Sequence, residues 1–187
     1  MRTPYGQRMD SAPSIPATTS IVVMGVSGSG KTSAAQELTR QLGWDYIEGD
    51  DLHPEANVAK MAQGIPLDDE DRWPWLQRIA ELIGEHEAAG TSIVITCSAL
   101  KRAYRDLLRD GHPSVWFAHV DVSREVLAQR VAARQGHFMP PSLLDSQLAT
   151  LERLADDEPG DVIAGDAPLD RTVAEVLSDL RRERSLS

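Results

Sequence analysis

The chain has 187 residues, 41% of them hydrophobic and 26% charged, with a formal charge of −10 at pH 7. That length suits one domain with its own core, and no apolar run approaches the roughly 18 residues a membrane span needs. The negative charge excludes nucleic acid and anionic membrane surfaces as partners, because both demand a basic face, but a small anion can still bind locally. A single cysteine, Cys97, excludes an internal disulfide and fits a reducing, cytoplasmic compartment. Its setting, Ile93-Val94-Ile95-Thr96-Cys97, reads as a small buried hydrophobe.

Residues 1–19 are rich in Pro, Ser and Thr and lack the apolar centre of a signal peptide, so they are expected to form a flexible leader to a domain over 20–187. The run Ile21-Val22-Val23-Met24 reads as the first strand. It leads directly into Gly25-Val26-Ser27-Gly28-Ser29-Gly30-Lys31-Thr32. Glycines there let the backbone turn tightly with its N–H groups aimed inward at phosphates. Lys31 reaches the β- and γ-phosphates, Thr32 offers a hydroxyl to Mg²⁺, and the following helix turns its positive end toward the same anion. Ala34, Ala35, Leu38 and Leu42 recur at helical spacing, completing the strand, loop and helix of a nucleoside triphosphate site. Only three of the 19 basic residues are lysines, so Lys31 in this loop is poorly explained by composition.

Asp45-Tyr46-Ile47-Glu48 predicts a second strand ending at Gly49-Asp50-Asp51-Leu52-His53-Pro54. In a parallel α/β sheet, ligands sit beyond the carboxyl ends of the strands, so Glu48, Asp50 and Asp51 arrive at the phosphate loop's edge. The alternative for Asp50 and Asp51 is to cap the helix predicted over 54–63. Residues 64–72 read as an acidic loop ending in Arg72, ahead of a helix that opens on Trp73-Pro74-Trp75 and runs to about Gly90. A cation at a helix start opposes the helix dipole, which marks Arg72 as serving something else, unless it pairs with Asp68, Asp69 or Asp71.

Residues 92–97 form the third strand, β-branched from Ile93 to Thr96 as a central parallel strand should be. The next helix carries Lys101, Arg105 and Arg109 at four-residue intervals, and Lys101 and Arg105, nearer the strand end, are candidates for a ligand role. Residues 115–120 give a fourth strand, followed by a helix bearing Arg130 and Arg134 one turn apart. Gln135-Gly136-His137-Phe138-Met139-Pro140-Pro141 then looks like a hinged, mobile flap, the centre of a lid near 130–150. Val162-Ile163-Ala164 and a helix with Val173, Val176, Leu177 and Leu180 close the chain. Five strands alternating with helices predict a three-layer α/β/α domain on a five-stranded parallel sheet. The five histidines have no metal-ligand spacing, although His53 and His137 lie beside the site loops.

The phosphate loop, the segments 48–54, 66–76 and 97–106, and Arg134-Gln135-Gly136-His137-Phe138 together resemble the gluconokinase family, in family order and over about residues 20–180. The resemblance implies a P-loop NTPase fold of the shikimate and nucleoside monophosphate kinase type, a homodimer, and ATP-dependent phosphorylation of D-gluconate to 6-phospho-D-gluconate. Many relatives carry Asp at position 48 and Ser at position 32, and both swaps keep an oxygen ligand. On this resemblance Asp50 orients the terminal hydroxyl and takes its proton, and the loop amides, Lys31 and Mg²⁺ on Thr32 hold the triphosphate. Glu48 serves the metal through water. Arg130 and Arg134 swing in to neutralise transition-state charge. Arg72, with Lys101 or Arg105, receives the gluconate carboxylate, with His53 and His137 as further substrate contacts. The alternatives are a kinase for another small acid such as shikimate, or a nucleotide-dependent switch. The switch lacks support, since none of the three lysines follows an asparagine in the guanine-reading pattern.

Overall fold

The apolar runs pair side by side into one parallel sheet in the order β2-β3-β1-β4-β5. The strands of the computed structural model are β1 (Ser20–Met24), β2 (Asp45–Ile47), β3 (Ile93–Thr96), β4 (Val115–Asp121) and β5 (Gly160–Ala164). The structure describes residues 18–133 and 141–185. Val22 on the central strand lies opposite Ile95 of β3 and Phe117 of β4, so the most apolar strands occupy the middle, as burial on both faces requires.

Helices α1 (Lys31–Leu42) and α7 (Leu169–Ser185) cover one face, packing Ala34, Leu38, Val173 and Val176 onto Ile21, Val23 and Trp116. The other face carries α3 (Asp69–Ala89), α4 (Arg102–Arg109), α5 (Arg124–Ala133) and α6 (Pro141–Thr150), whose Trp75, Ile79, Leu108, Leu127 and Leu144 meet Val22, Ile95 and Phe117. The short α2 (Glu55–Ala62) follows a single 3₁₀ turn over Gly49–Leu52. Because all strands run the same way, every strand-to-helix connection emerges on one edge. That edge holds the phosphate loop.

Four local expectations need correction. Helix α3 begins at Asp69, so most of the expected acidic loop is its first turn: Asp68 caps the helix, accepting from the Asp71 N–H at 2.8 Å while the Asp71 carboxylate accepts from the Asp68 N–H. Pro74 consequently lies inside the helix, and its exposed ring faces solvent. Neither Asp50 nor Asp51 caps α2, whose N-cap is Pro54 without a side-chain bond. Helix α6 occupies residues 141–150, inside the expected lid, where no helix was predicted. Residues 1–17 of the expected leader lie outside the described residues, and Thr19 is already buried, its N–H bonded to Ser92 Oγ at 3.0 Å. Cys97 is buried as expected, and burial pushes its thiol up to about 12.

One buried group makes the fold acid-sensitive. His119 on β4 is 1% exposed, and burial, helped by the charges of Arg105 and Arg153 against Asp121 and Glu158, pushes its pKa down to about 4. An unfolded histidine titrates near 6.5, so between roughly pH 6.5 and 4 the unfolded chain binds the extra proton and the native state loses stability as pH falls. The expected cost at pH 5 is ~2 kcal/mol. Urea midpoints at pH 7.5 and pH 5 check this: the drop should be distinctly smaller in His119→Gln, and an equal drop in both proteins would remove His119 as the cause.

Candidate active site

The glycine-rich connection between β1 and α1 is built around its backbone. Gly30, at φ 97°, forms the left-handed N-cap of α1 with no side-chain cap bond, which leaves the first N–H groups of the helix for an anion. The ammonium of Lys31 meanwhile donates to Val26 O at 2.9 Å. Beside the loop, the Thr32 hydroxyl donates to Glu48 Oε2 at 2.9 Å, Tyr46 donates to the same oxygen at 2.6 Å, and Thr96 donates to Oε1. Burial alone would raise the Glu48 pKa, but these three hydroxyls and the Lys31 charge outweigh it and hold the carboxyl below its usual range. An ionised carboxylate thus stands next to the Thr32 hydroxyl, an all-oxygen pair of the kind a hard divalent cation takes.

Asp50 is held in place by its neighbour. The Gly49 N–H donates to Thr96 Oγ1 at 2.9 Å and Gly49 O accepts from Trp75 Nε1 at 2.7 Å, so both of its backbone groups are fixed. A Cβ on Gly49 would lie 1.9 Å from Thr96 O, so only glycine fits this approach. Trp75 also stacks on His53, with ring centroids 4.1 Å apart, and burial lowers the His53 pKa, keeping the imidazole neutral at neutral pH.

Arg72, in the first turn of α3, is buried, and its Nη1 donates to Tyr104 OH at 3.1 Å. The carboxylates around it are committed elsewhere: Asp71 to Lys60 at 2.7 Å, Asp69 to Lys101 at 2.8 Å and to Tyr104, and Asp68 to the helix cap. Among the described residues no carboxylate ion-pairs with Arg72. The surface salt bridge that would have explained the residue without a ligand therefore does not form.

Lys31, Asp50, His53 and Arg72 border one cleft, partly open to solvent, with Ser27, Trp75 and Gln147 also on its walls. A second cleft on the far side of the loop is bordered by Arg130, Ala167 and Thr172. Arg130 belongs to the regular part of α5 rather than to a flap, and its guanidinium donates to Ser29 O at 3.1 Å and Gly165 O at 2.9 Å. That places Arg130 on the second cleft, apart from Asp50 and Arg72. Arg134 and His137 lie outside the described residues.

Arg105 is not part of either cleft. It is wholly buried, paired with Glu158 at 2.6 Å and donating to Ala99 O and Glu152 O, each at 3.0 Å. The expectation of a substrate contact fails because its helix turns this side chain into the domain, where a carboxylate 53 residues later awaits it. Lys101, the N-cap of α4, borders neither cleft: it pairs with Asp69 behind Tyr104 and so leaves Arg72 bonded to the Tyr104 hydroxyl without that carboxylate as a partner. Gln147 was missed altogether. Its signal is present in the spacing, since Leu144, Leu148 and Leu151 mark a helical stripe on which position 147 is a polar intrusion.

A parallel sheet in this order, with a phosphate loop after its central strand and an acid and a guanidinium across the cleft, defines a P-loop kinase. Residues 21–154 match the AAA domain family, and the gluconokinase of Gluconobacter oxydans (strain 621H) is 50% identical over 163 residues, spanning 87% of this chain and 92% of that one. The chain belongs to the gluconokinase family. Among solved structures, an unliganded sugar kinase from Janibacter sp. HTCC2649 superposes with TM-score 0.84 at 52% identity, covering 87% of this chain and 94% of that one. A gluconokinase from Sinorhizobium meliloti 1021 gives TM-score 0.78 at 48% identity, covering 88% and 92%.

Proposed function

We propose that this chain transfers the γ-phosphoryl group of ATP to the 6-hydroxyl of D-gluconate, releasing 6-phospho-D-gluconate and ADP. The observation that carries the reading is the buried guanidinium of Arg72, ion-paired with no carboxylate among the described residues, on the same cleft as Lys31 and Asp50. A guanidinium in that state is a fork for a substrate carboxylate, and gluconate supplies one at the end of its chain opposite the reacting hydroxyl.

In this reading Asp50 orients the 6-hydroxyl and accepts its proton as the oxygen bonds to the γ-phosphorus. The bond from that phosphorus to the bridging oxygen breaks, and its electrons leave with ADP. Lys31 and the loop amides hold the phosphates, and Arg130 steadies the loop from the nucleotide side. Mg²⁺ is proposed on the Thr32 hydroxyl, with Glu48 holding its water, and when bound it neutralises phosphate charge. His53 is proposed to hydrogen-bond the sugar-acid's hydroxyls, while Arg134 and His137 keep their expected roles as proposals. Family membership supports a homodimer working in the cytoplasm. Among the described residues no helix is long and apolar enough to cross a membrane.

The testing experiment is coupled ADP release with gluconate, shikimate and nucleoside monophosphates as acceptors. Turnover with gluconate alone is expected; turnover with shikimate alone, or with none of them, would replace this reading by one of its rivals. Arg72→Ala is expected to raise the gluconate KM by about tenfold or more, with the ATP KM little changed. Equal effects on both would take Arg72 out of the acceptor site.

A further inference from the structure

Helix α6 reaches into the phosphate loop. The Ser27 N–H donates to Gln147 Oε1 at 2.7 Å, across 120 residues of sequence. Backbone N–H groups of such a loop are donors for phosphate oxygens, so this amide carbonyl fills a position that an anion would otherwise take. Which phosphate it displaces follows from the walls of the two clefts. Gly28 and Gly30 border both clefts, but Ser27 borders only the one shared with Asp50 and Arg72, whereas Ser29 and Ser33 border only the other, proposed for the nucleotide. The phosphoryl group in transit has to lie at the acceptor end. The oxygen that belongs on the Ser27 N–H is therefore one of the γ-phosphate's.

We propose that Gln147 is a positioning residue that stands in for the γ-phosphate on Ser27 and is exchanged for it when ATP binds, which ties α6 to the presence of a triphosphate. The inference rests on the kinase reading above. Several contacts make α6 a suitable carrier. Leu144 is buried in the core, Leu148 packs against it, and the Glu152 N–H just beyond the helix donates to Leu100 O at 2.7 Å. The helix is thereby tied to the connection after β3, while Leu143, Ser146 and Gln147 face the cleft.

The exchange is favourable for a triphosphate because an anionic oxygen is a stronger acceptor than a neutral amide carbonyl. A diphosphate offers no γ-oxygen and leaves Gln147 where it is. The bond to Gln147 thus lowers apparent ATP affinity by holding part of the population in a form that cannot receive the γ-phosphate, and it leaves ADP affinity alone.

Binding of ADP and of a non-hydrolysable ATP analogue to the full chain, measured by calorimetry, tests this. Gln147→Ala is expected to lower the Kd of the triphosphate analogue about fivefold, the value of one ordinary hydrogen bond, and to leave the ADP Kd within twofold. Gln147→Glu should act in the opposite direction, raising the triphosphate Kd by about tenfold or more, because its carboxylate both holds the Ser27 N–H and repels the γ-phosphate. Thermal melting of both variants separates these shifts from loss of fold, which would weaken both nucleotides together. Unchanged selectivity between the two nucleotides in both variants, or weaker triphosphate binding by Gln147→Ala, would overturn the inference while wild-type gluconate turnover still supported the kinase. Failure of wild type to bind the triphosphate would overturn both.

Discussion

Asp50→Asn is expected to lower kcat by about 100-fold or more while leaving the ATP KM near its wild-type value. Asparagine keeps the size and one oxygen acceptor of aspartate but cannot take the proton of the attacking hydroxyl. Its backbone has little freedom to answer the change, because Gly49 is held through both its N–H and its carbonyl, by Thr96 and Trp75. The loss should therefore appear in the chemical step and not in stability. A kcat within about threefold of wild type would mean that the hydroxyl reacts without a base at position 50, which the loose transition state of phosphoryl transfer makes a real alternative to be measured.

Arg105→Ala should strongly destabilise the domain. The side chains of Arg105 and Glu158 are 1% and 0% exposed, and the guanidinium meets the carboxylate through both Nε and Nη2, at 2.6 and 2.9 Å. Burial would raise the Glu158 pKa, yet the bonds from Arg105 and the Ala155 N–H keep it lowered, so removing Arg105 leaves a buried carboxylate without its partner. Breaking such a pair costs about 3–5 kcal/mol, which for a chain of this length lowers Tm by roughly 10 °C. The change also frees Ala99 O and Glu152 O, which join the connection after β3 to the segment after α6. Replacing both partners together, as in Arg105→Met with Glu158→Leu, should recover much of the stability. A fully stable Arg105→Ala with a raised gluconate KM would instead restore Arg105 as a substrate contact.

What could be read before the coordinates divides along a physical line. The phosphate loop and the delivery of Asp50 to its edge were legible in residues 21–50, and the alternation of strands and helices along the rest of the chain, because all of these depend on local spacing. Arg72 was marked by its misfit at a helix start, but its availability depends on which cation each nearby carboxylate chooses. Lys60 and Lys101 decide that from 11 and 32 residues away. Arg105 shows the reverse case. Four-residue spacing put it on a face with Lys101, but α4 begins one residue after Lys101, and burial of that face against residues 152–158 is a tertiary fact. Helix α6 was hidden because the Gly and Pro residues around position 140 drew attention to the hinge and away from the leucine stripe behind it.

In the proposed function Arg72 reads a carboxylate while Lys31 and Asp50 carry out transfer at the other end of the acceptor. The most direct measurement compares kcat/KM for D-gluconate and D-glucitol, the same carbon chain ending in a hydroxymethyl group, in wild type and in Arg72→Ala. Wild type should prefer gluconate by about 100-fold or more, the value of one buried charge pair, and Arg72→Ala should lose nearly all of that preference. A preference that survives the substitution, or a wild type indifferent to the carboxylate, would show that Arg72 does not read the acid group.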